Sequence, residues 1–437
     1  MSEYSRSFLS LSSWKHRLVF WLGAILIGLL ITTMTLLSEW ASAFYRSVSL
    51  AYPWFNFVIA PFGLAFTAWI TFRFFPGSEG SGIPQVKTAL EIPHTLEERT
   101  KLVSLRIAFG KTFLPIMGLL SGASVGFGGP ATHVGASLMA AMGKSVKFSS
   151  HYMEKGLLLA GSAAGFAAMF SAPLAGIMFA IEEMGRTLEE RVSTLVLTAI
   201  IFSGVTAYSI LNHTIYFTDN TLTLPWGKAW LAIPLCGVAG GLLDAIFSKI
   251  IVSGQLYLRK LNIPIVPIAF VCGIIIALLG YLSNGESFGT GYQLSKNILL
   301  NQTTIDPLFP LYKMLATCAT FFSGIPSGIF VPSIATGAGF GANLAIWVPI
   351  APATVMILLT ITAYFSGMLQ SPLTSFVTVL EMTHSHEITI PIMAAAFIAS
   401  GVSKFINKDP LYRALSNAYQ IKHKVELISN EPEQEKK

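Results

Sequence analysis

Three clusters of glycine and proline stand directly ahead of apolar, helical-looking stretches: Gly80-Ser81-Gly82-Ile83-Pro84, Gly126-Phe127-Gly128-Gly129-Pro130, and Gly324 to Pro332. Proline is accepted in a first helical turn because the N–H it lacks would be unpaired there anyway, and glycine lets a backbone approach another backbone or a ligand. Each cluster therefore reads as a helix start. A helix N-terminus presents unpaired N–H groups and about half a positive charge, so several of them converging inside a membrane form an anion site that needs no fixed cation. A full lysine or arginine charge in a low dielectric would hold a small anion too tightly for release. The plainer alternative is that the glycines only allow close helix packing and the prolines only bend helices.

The clusters are tied together by an internal repeat. Ala172-Pro173-Leu174 followed by Glu182 recurs as Ser371-Pro372-Leu373 followed by Glu381, with the same step from proline to glutamate. Upstream, Gly126 to Pro130 recurs as Gly328-Ile329-Phe330-Val331-Pro332, and the two offsets, 199 and 202 residues, nearly agree. Two homologous halves, 15–212 and 225–415, are expected. Paired Gly/Pro-interrupted segments in two such halves point to a binding site near the membrane midplane. Glu182, with its repeat partner Glu381, is expected to tie helices together.

The elements that must hold these residues are membrane helices. Of 437 residues, 53% are hydrophobic and 11% charged, against about 25% charged in a soluble domain, and the mean hydropathy is +0.63. Apolar segments fall near 17–38, 51–75, 102–120, 131–143, 156–181, 192–211, 229–252, 263–282, 309–322, 328–348, 353–369, 372–382 and 389–406. Many are too short to span a bilayer, which predicts broken or re-entrant helices packed inside protein. The polar stretch from Pro76 to Arg106, with Glu97, Glu98, Arg99 and Lys101, reads as a solvent-facing loop. Lys15 and Arg17 at one end, and Lys404, Lys408, Arg413, Lys422 and Lys424 at the other, place both ends on the cytoplasmic side. Residues 1–15 then form a cytoplasmic N-terminus, 16–415 one transmembrane unit, and 416–437 a cytoplasmic tail too short for a regulatory domain. The first apolar run, without a convincing cleavage site, reads as a retained helix. Cys236, Cys272 and Cys318 lack any CxxC or histidine-paired spacing and read as buried thiols. The net charge of +6 comes without a basic stripe interleaved with exposed aromatics, which argues against nucleic acid.

At Gly80–Pro84, Gly161–Met184 and Gly328–Pro332 the sequence resembles the CLC family of chloride channels and chloride/proton antiporters; the run Gly161-Ser162-Ala163-Ala164-Gly165 through Ala172-Pro173-Leu174 to Glu182-Glu183-Met184 is the most specific part. The likeness in motif order runs from Ser81 to Tyr412. It implies an all-α membrane protein of two inverted-repeat halves with broken and re-entrant helices, assembled as a homodimer in the inner membrane with one anion path per subunit and no cofactor besides the transported chloride. By the family pattern the anion would be held by the Ser81 hydroxyl beside Gly82 and Ile83, by Gly128 and Gly129, by the N–H groups of Ile329 and Phe330, and by the Tyr412 hydroxyl. Serine at position 81 resembles the chloride-preferring members.

The departures from the family decide the expected mechanism. Antiporters carry G-R-E-G-P where this chain has Gly126-Phe127-Gly128-Gly129-Pro130, so Phe127 takes the arginine position and Gly128 that of the gating glutamate. Glycine can neither block the path nor carry a proton, which predicts passive, proton-uncoupled chloride conduction. Glu183 matches the inner proton-transfer glutamate; the plainer alternative is a carboxylate at a wet inner vestibule. Lys87 reads either as a cation at the inner mouth or as a solvated loop lysine, and Lys111 resembles the family's buried lysine, with a supporting electrostatic role. The alternative function is a proton-coupled antiporter using His133 or Glu183, although a lone histidine on an apolar helix is usually a packed, hydrogen-bonded group. A remoter one is an intramembrane hydrolase, because Gly122 to Gly126 fits G-x-S-x-G with Ser124 as nucleophile; it lacks the strand–turn–helix setting and the histidine–acid pair that chemistry needs. His384 and His386 beside Glu381 and Glu387 read as loop residues and not as a metal site.

Overall fold

The structure, a computed structural model, describes residues 11–91, 102–144, 151–185, 193–211, 222–300, 302–303, 306–383 and 385–430. Among these residues the chain is helical, and the only β-type pairings are two isolated bridges. The first half comprises α1 (Leu11–Ala51), α2 (Asn56–Phe74), α3 (Ile83–Glu91), α4 (Leu105–Leu119), α5 (Gly128–Lys144), α6 (His151–Phe170), α7 (Pro173–Met178, continued as a wider π turn, Phe179–Met184) and α8 (Thr194–Ile210). The second half repeats that order with α9 (Ala232–Lys260), α10 (Ile265–Leu282), α11 (Tyr292–Leu299), α12 (Phe309–Phe322), α13 (Phe330–Trp347), α14 (Ala353–Leu369), α15 (Pro372–Thr383) and α16 (Thr389–Ile406). A last helix, α17 (Leu411–Asn430), has no counterpart.

Repeat partners meet one another across a pseudo-twofold axis. Gly126 and Gly328, equivalent by the repeat, each donate N–H to the other's carbonyl at 2.8 Å in an antiparallel bridge, a pairing that equivalent residues make only when the two halves are inverted about an axis between them. The repeated glutamates do the same on a larger scale. Glu182 accepts the N–H groups of Leu373 and Thr374 at 3.2 and 2.7 Å, while Glu381 accepts those of Leu174 and Ala175 at 3.1 and 2.7 Å. Each carboxylate caps the opposite half's helix start, where orphan N–H groups and the helix dipole both favour negative charge. The expectation that Glu182 ties helices together is met.

Among the described residues five helices are long and apolar enough to cross a membrane: Arg17–Ala51, Pro53–Phe74, Lys228–Lys260, Ile265–Leu282 and Thr389–Ile406. Several of the others are shorter, and α13 and α14 are buried along most of their length. Of the apolar run 156–181, the structure makes two helices, broken at Ser171 (φ 51°) ahead of Pro173. The loop expected over Pro76–Arg106 is corrected in part: Ile83–Glu91 is a helix with Ile83 through Ala89 buried. Its polar side chains hid it from an apolar search; they are satisfied by neighbours, as when Thr88 Oγ1 meets Ser416 Oγ at 3.0 Å. The segment holding Glu97, Glu98, Arg99 and Lys101 lies outside the described residues, as does His384. The boundary drawn at residue 415 falls inside α17, whose Tyr419 and Gln420 bond Glu79 and Glu91. The three cysteines are buried and free.

Candidate anion site

The three Gly/Pro clusters converge. Besides the Gly126–Gly328 bridge, Gly80 N–H donates to Ile325 O at 3.3 Å and Ser327 N–H to Gly80 O at 3.1 Å, so the first and third clusters run side by side. The first residues of α3, α5 and α13 therefore start from one hydrogen-bonded knot. Gly80 and Gly82 adopt φ of +63° and +106°, a region open to glycine and costly for other residues, and the loop thus turns Ser81 inward between them.

Close contacts place the expected anion-holding residues around a common centre. The Gly129 backbone touches Ser81 Oγ, and the Gly128 Cα faces the Phe330 ring so closely that a Cβ there would overlap it. The Phe330 and Tyr412 rings meet edge to face at 5.4 Å, and the Tyr412 hydroxyl lies beside Ser81. Ser81, Gly82, Ile83, Gly128, Gly129, Ile329, Phe330 and Tyr412 are all buried. The Ser81 and Tyr412 hydroxyls lie side by side, and neither meets a partner at normal hydrogen-bond geometry, a costly state for a buried polar atom unless a ligand receives the hydrogen. Phe127 is fully buried among apolar groups.

Beneath this centre, Lys111, buried on α4, donates Nζ–H to Gly80 O at 2.6 Å and to Glu79 O at 3.3 Å, fixing the loop that carries Ser81. A residue not singled out in the sequence, Lys313, does the same for the other half: fully buried on α12, it donates to Ser287 O and Gly289 O at 3.0 and 2.8 Å. The signal was present, since Lys111 and Lys313 stand 202 residues apart, the Gly126–Gly328 offset. Lys313 supports Gly289-Thr290-Gly291, the counterpart of Gly80-Ser81-Gly82, again with positive φ at both glycines. There the hydroxyl is already taken: Thr290 donates to Glu39 Oε1 at 2.9 Å. Of the two equivalent loops, only the Ser81 loop leaves its hydroxyl free.

Two placements differ from expectation. Lys87 is neither a solvated loop lysine nor a free cation at a mouth. It is 8% exposed and pairs with Glu183 at 2.5 Å. Glu183 is itself 4% exposed, and its other oxygen accepts from Ser371 Oγ at 3.0 Å, so it sits in a closed three-residue cluster and not at a wet vestibule. The two contacts fix the Glu183 carboxylate in place between α3 and the start of α15. His133 Nε2 lies 2.7 Å from Leu102 O, a packed histidine whose ring abuts Gly82. Ser124 Oγ pairs with Thr317 Oγ1 at 3.0 Å and its N–H with Thr320 Oγ1, contacts that join α12 to the loop before α5. Among the described residues no group of three or more His, Cys, Asp or Glu could hold a metal.

A cavity of about 640 Å³ opens onto Ser81 from one side, lined by Glu79, Gly80, Gln85, Arg259 and Tyr419 among others.

The sequence profile described as "Voltage gated chloride channel" matches residues 63–404. The chain is 28% identical over 383 residues to the H(+)/Cl(-) exchange transporter ClcA of Yersinia pestis bv. Antiqua (strain Angola), covering 82% of this chain and 77% of that one, and equally to ClcA of Yersinia pseudotuberculosis serotype O:3 (strain YPIII). Its fold is similar to that of a slow cyanobacterial Cl-/H+ antiporter (TM-score 0.76, 22% identity, 93% of this chain and 97% of the other). It is similar also to a CLC-type fluoride/proton antiporter (TM-score 0.75, 19% identity, 95% and 99%).

Proposed function

From the premise that this chain belongs to the voltage-gated chloride channel (CLC) family of anion transporters, we propose that it conducts chloride passively, without obligatory proton exchange. The observation that carries the reading is position 128. A carboxylate able to swing between the anion path and water cannot arise from a glycine whose Cα is pressed against the buried Phe330 ring. In the proposed cycle the anion leaves water at the 640 Å³ cavity, exchanges hydration for the Ser81 and Tyr412 hydroxyls and the N–H groups at Ile329 and Phe330, and passes the Phe330 ring to the far side. Neutral donors hold it loosely enough to leave. Lys111 acts through the Ser81 loop and touches no anion. Both chain ends lie on the cytoplasmic side of a bacterial inner membrane, and two chains form a homodimer with separate paths; the bacterial relatives support that location.

A second reading, proton-coupled exchange, is favoured by two observations: Glu183 stands at the inner-glutamate position, and the relatives reported above are exchangers. Against it, Glu183 is held between Lys87 and Ser371, and nothing equivalent stands at position 128. Reconstitution into liposomes under a chloride gradient, with chloride efflux and internal pH recorded together, separates the two. Passive conduction gives chloride efflux with no uphill proton movement. Chloride-driven proton uptake against its gradient that disappears with a protonophore would establish the exchanger.

A further inference from the structure

Glu79 lies two residues ahead of Ser81 and lines the same cavity. It is half-buried, and its carboxylate accepts the Gly77 N–H at 2.8 Å and the Tyr419 hydroxyl at 2.5 Å. Tyr419 also takes a hydrogen bond from Gln85 Nε2 at 3.3 Å, while Gln85 Nε2 holds the Glu79 carbonyl at 2.7 Å. The charged and titratable groups facing Glu79 are Arg259 on α9, whose guanidinium stacks 5.7 Å over the Tyr419 ring, Lys111 on α4, spent on the Glu79 and Gly80 carbonyls, and Tyr419 on α17. No cation is paired with the carboxylate among the described residues, and so its negative charge stands in the cavity an anion must cross.

We propose that Glu79 is a gating residue of the anion path: tied back by Tyr419, its carboxylate repels anions in the cavity, and when released it competes with them for the Ser81 hydroxyl. The argument rests on the assignment of Ser81 to the path and on the passive reading above. Narrow, low-dielectric walls focus a fixed charge and so control the local concentration of a mobile ion of either sign. Arg259, which lines the same cavity and stacks on Tyr419, offsets this repulsion; the balance between the two sets the rate. Glu79 stands two residues ahead of Ser81, and both line the same cavity.

The test is chloride efflux at pH 7.5 from liposomes containing the full chain. Glu79→Gln is expected to conduct about tenfold faster than the parent, whereas Glu79→Asp, which keeps the charge, stays near the parent's rate. Tyr419→Phe, which frees the carboxylate, is expected to slow efflux severalfold, and the double variant to behave as Glu79→Gln. The proposal is overturned if Glu79→Gln retains the parent's rate, or if the double variant stays slow. Internal pH recorded in the same runs reports separately on proton coupling, so a failure of the passive reading is seen whatever Glu79 does.

Discussion

At the scale of single residues, the packing around Gly128 governs what substitutions there can report. Phe330 is wedged against Gly128 and held by Phe166, Phe170, Phe365 and Tyr412, with ring centroids 5.3 to 6.3 Å away. A side chain added at 128 must displace that ring, and overpacking of a well-filled core typically costs about 1–3 kcal/mol. Gly128→Glu alone is therefore expected to lower thermal stability in detergent as well as chloride efflux. Gly128→Glu combined with Phe330→Ala should recover part of the stability and show efflux that increases on acidification, as a tethered carboxylate is neutralised. Efflux of that double variant with no pH response would show that position 128 does not border the route. For the ion pair, Lys87→Met leaves Glu183 buried with only Ser371 as partner; removing one member of a buried pair costs about 3–5 kcal/mol. Lys87→Met/Glu183→Gln should be the more stable of the two variants, a comparison that a melting curve decides.

Among the helices, the reciprocal caps are the clearest consequence of the repeat. Each of Glu182 and Glu381 accepts two N–H groups at the opposite half's helix start, and hydrogen bonds to a charged group contribute about 1.5–3 kcal/mol. Glu182→Gln and Glu381→Gln are expected to destabilise by similar amounts, since the contacts are equivalent by the repeat, with Glu182 losing slightly more because it also accepts the Thr374 hydroxyl at 2.9 Å. Chemical denaturation of the two variants side by side tests this; effects differing by several kcal/mol would contradict the symmetric account.

For the molecule as a whole, inversion produces two equivalent loops on equivalent lysines, and function separates them. Lys111→Met and Lys313→Met both leave backbone carbonyls without their donor and should destabilise comparably. Only Lys111→Met should also weaken chloride binding, measured by calorimetry on protein that remains folded, because only the Ser81 loop leaves its hydroxyl unpaired while Thr290 is bound to Glu39. Weakening by Lys313→Met to the same degree would place the anion elsewhere.

Much of this architecture can be read without coordinates. Apolar runs located the long helices, Gly/Pro clusters located the three helix starts, and the nearly equal offsets announced the two halves, because membrane burial and backbone sterics write themselves into local residue type. The polar helices Ile83–Glu91, Tyr292–Leu299 and Leu411–Asn430 are not legible that way, since polar residues interrupt their apolar pattern; in the first, Thr88 finds its partner, Ser416, 328 residues away. The site divides likewise. Ser81, Ile329, Phe330 and Tyr412 are marked by motif, but that Lys87 neutralises Glu183, that Phe330 fills the space beside Gly128, and that Glu79 faces the same cavity as Ser81 follow only from which helices are brought together. Charge and steric exclusion act through space over a few ångströms, between residues 96 to 340 positions apart in these instances or turned by a glycine in the left-handed region, and one-dimensional spacing carries no record of that distance.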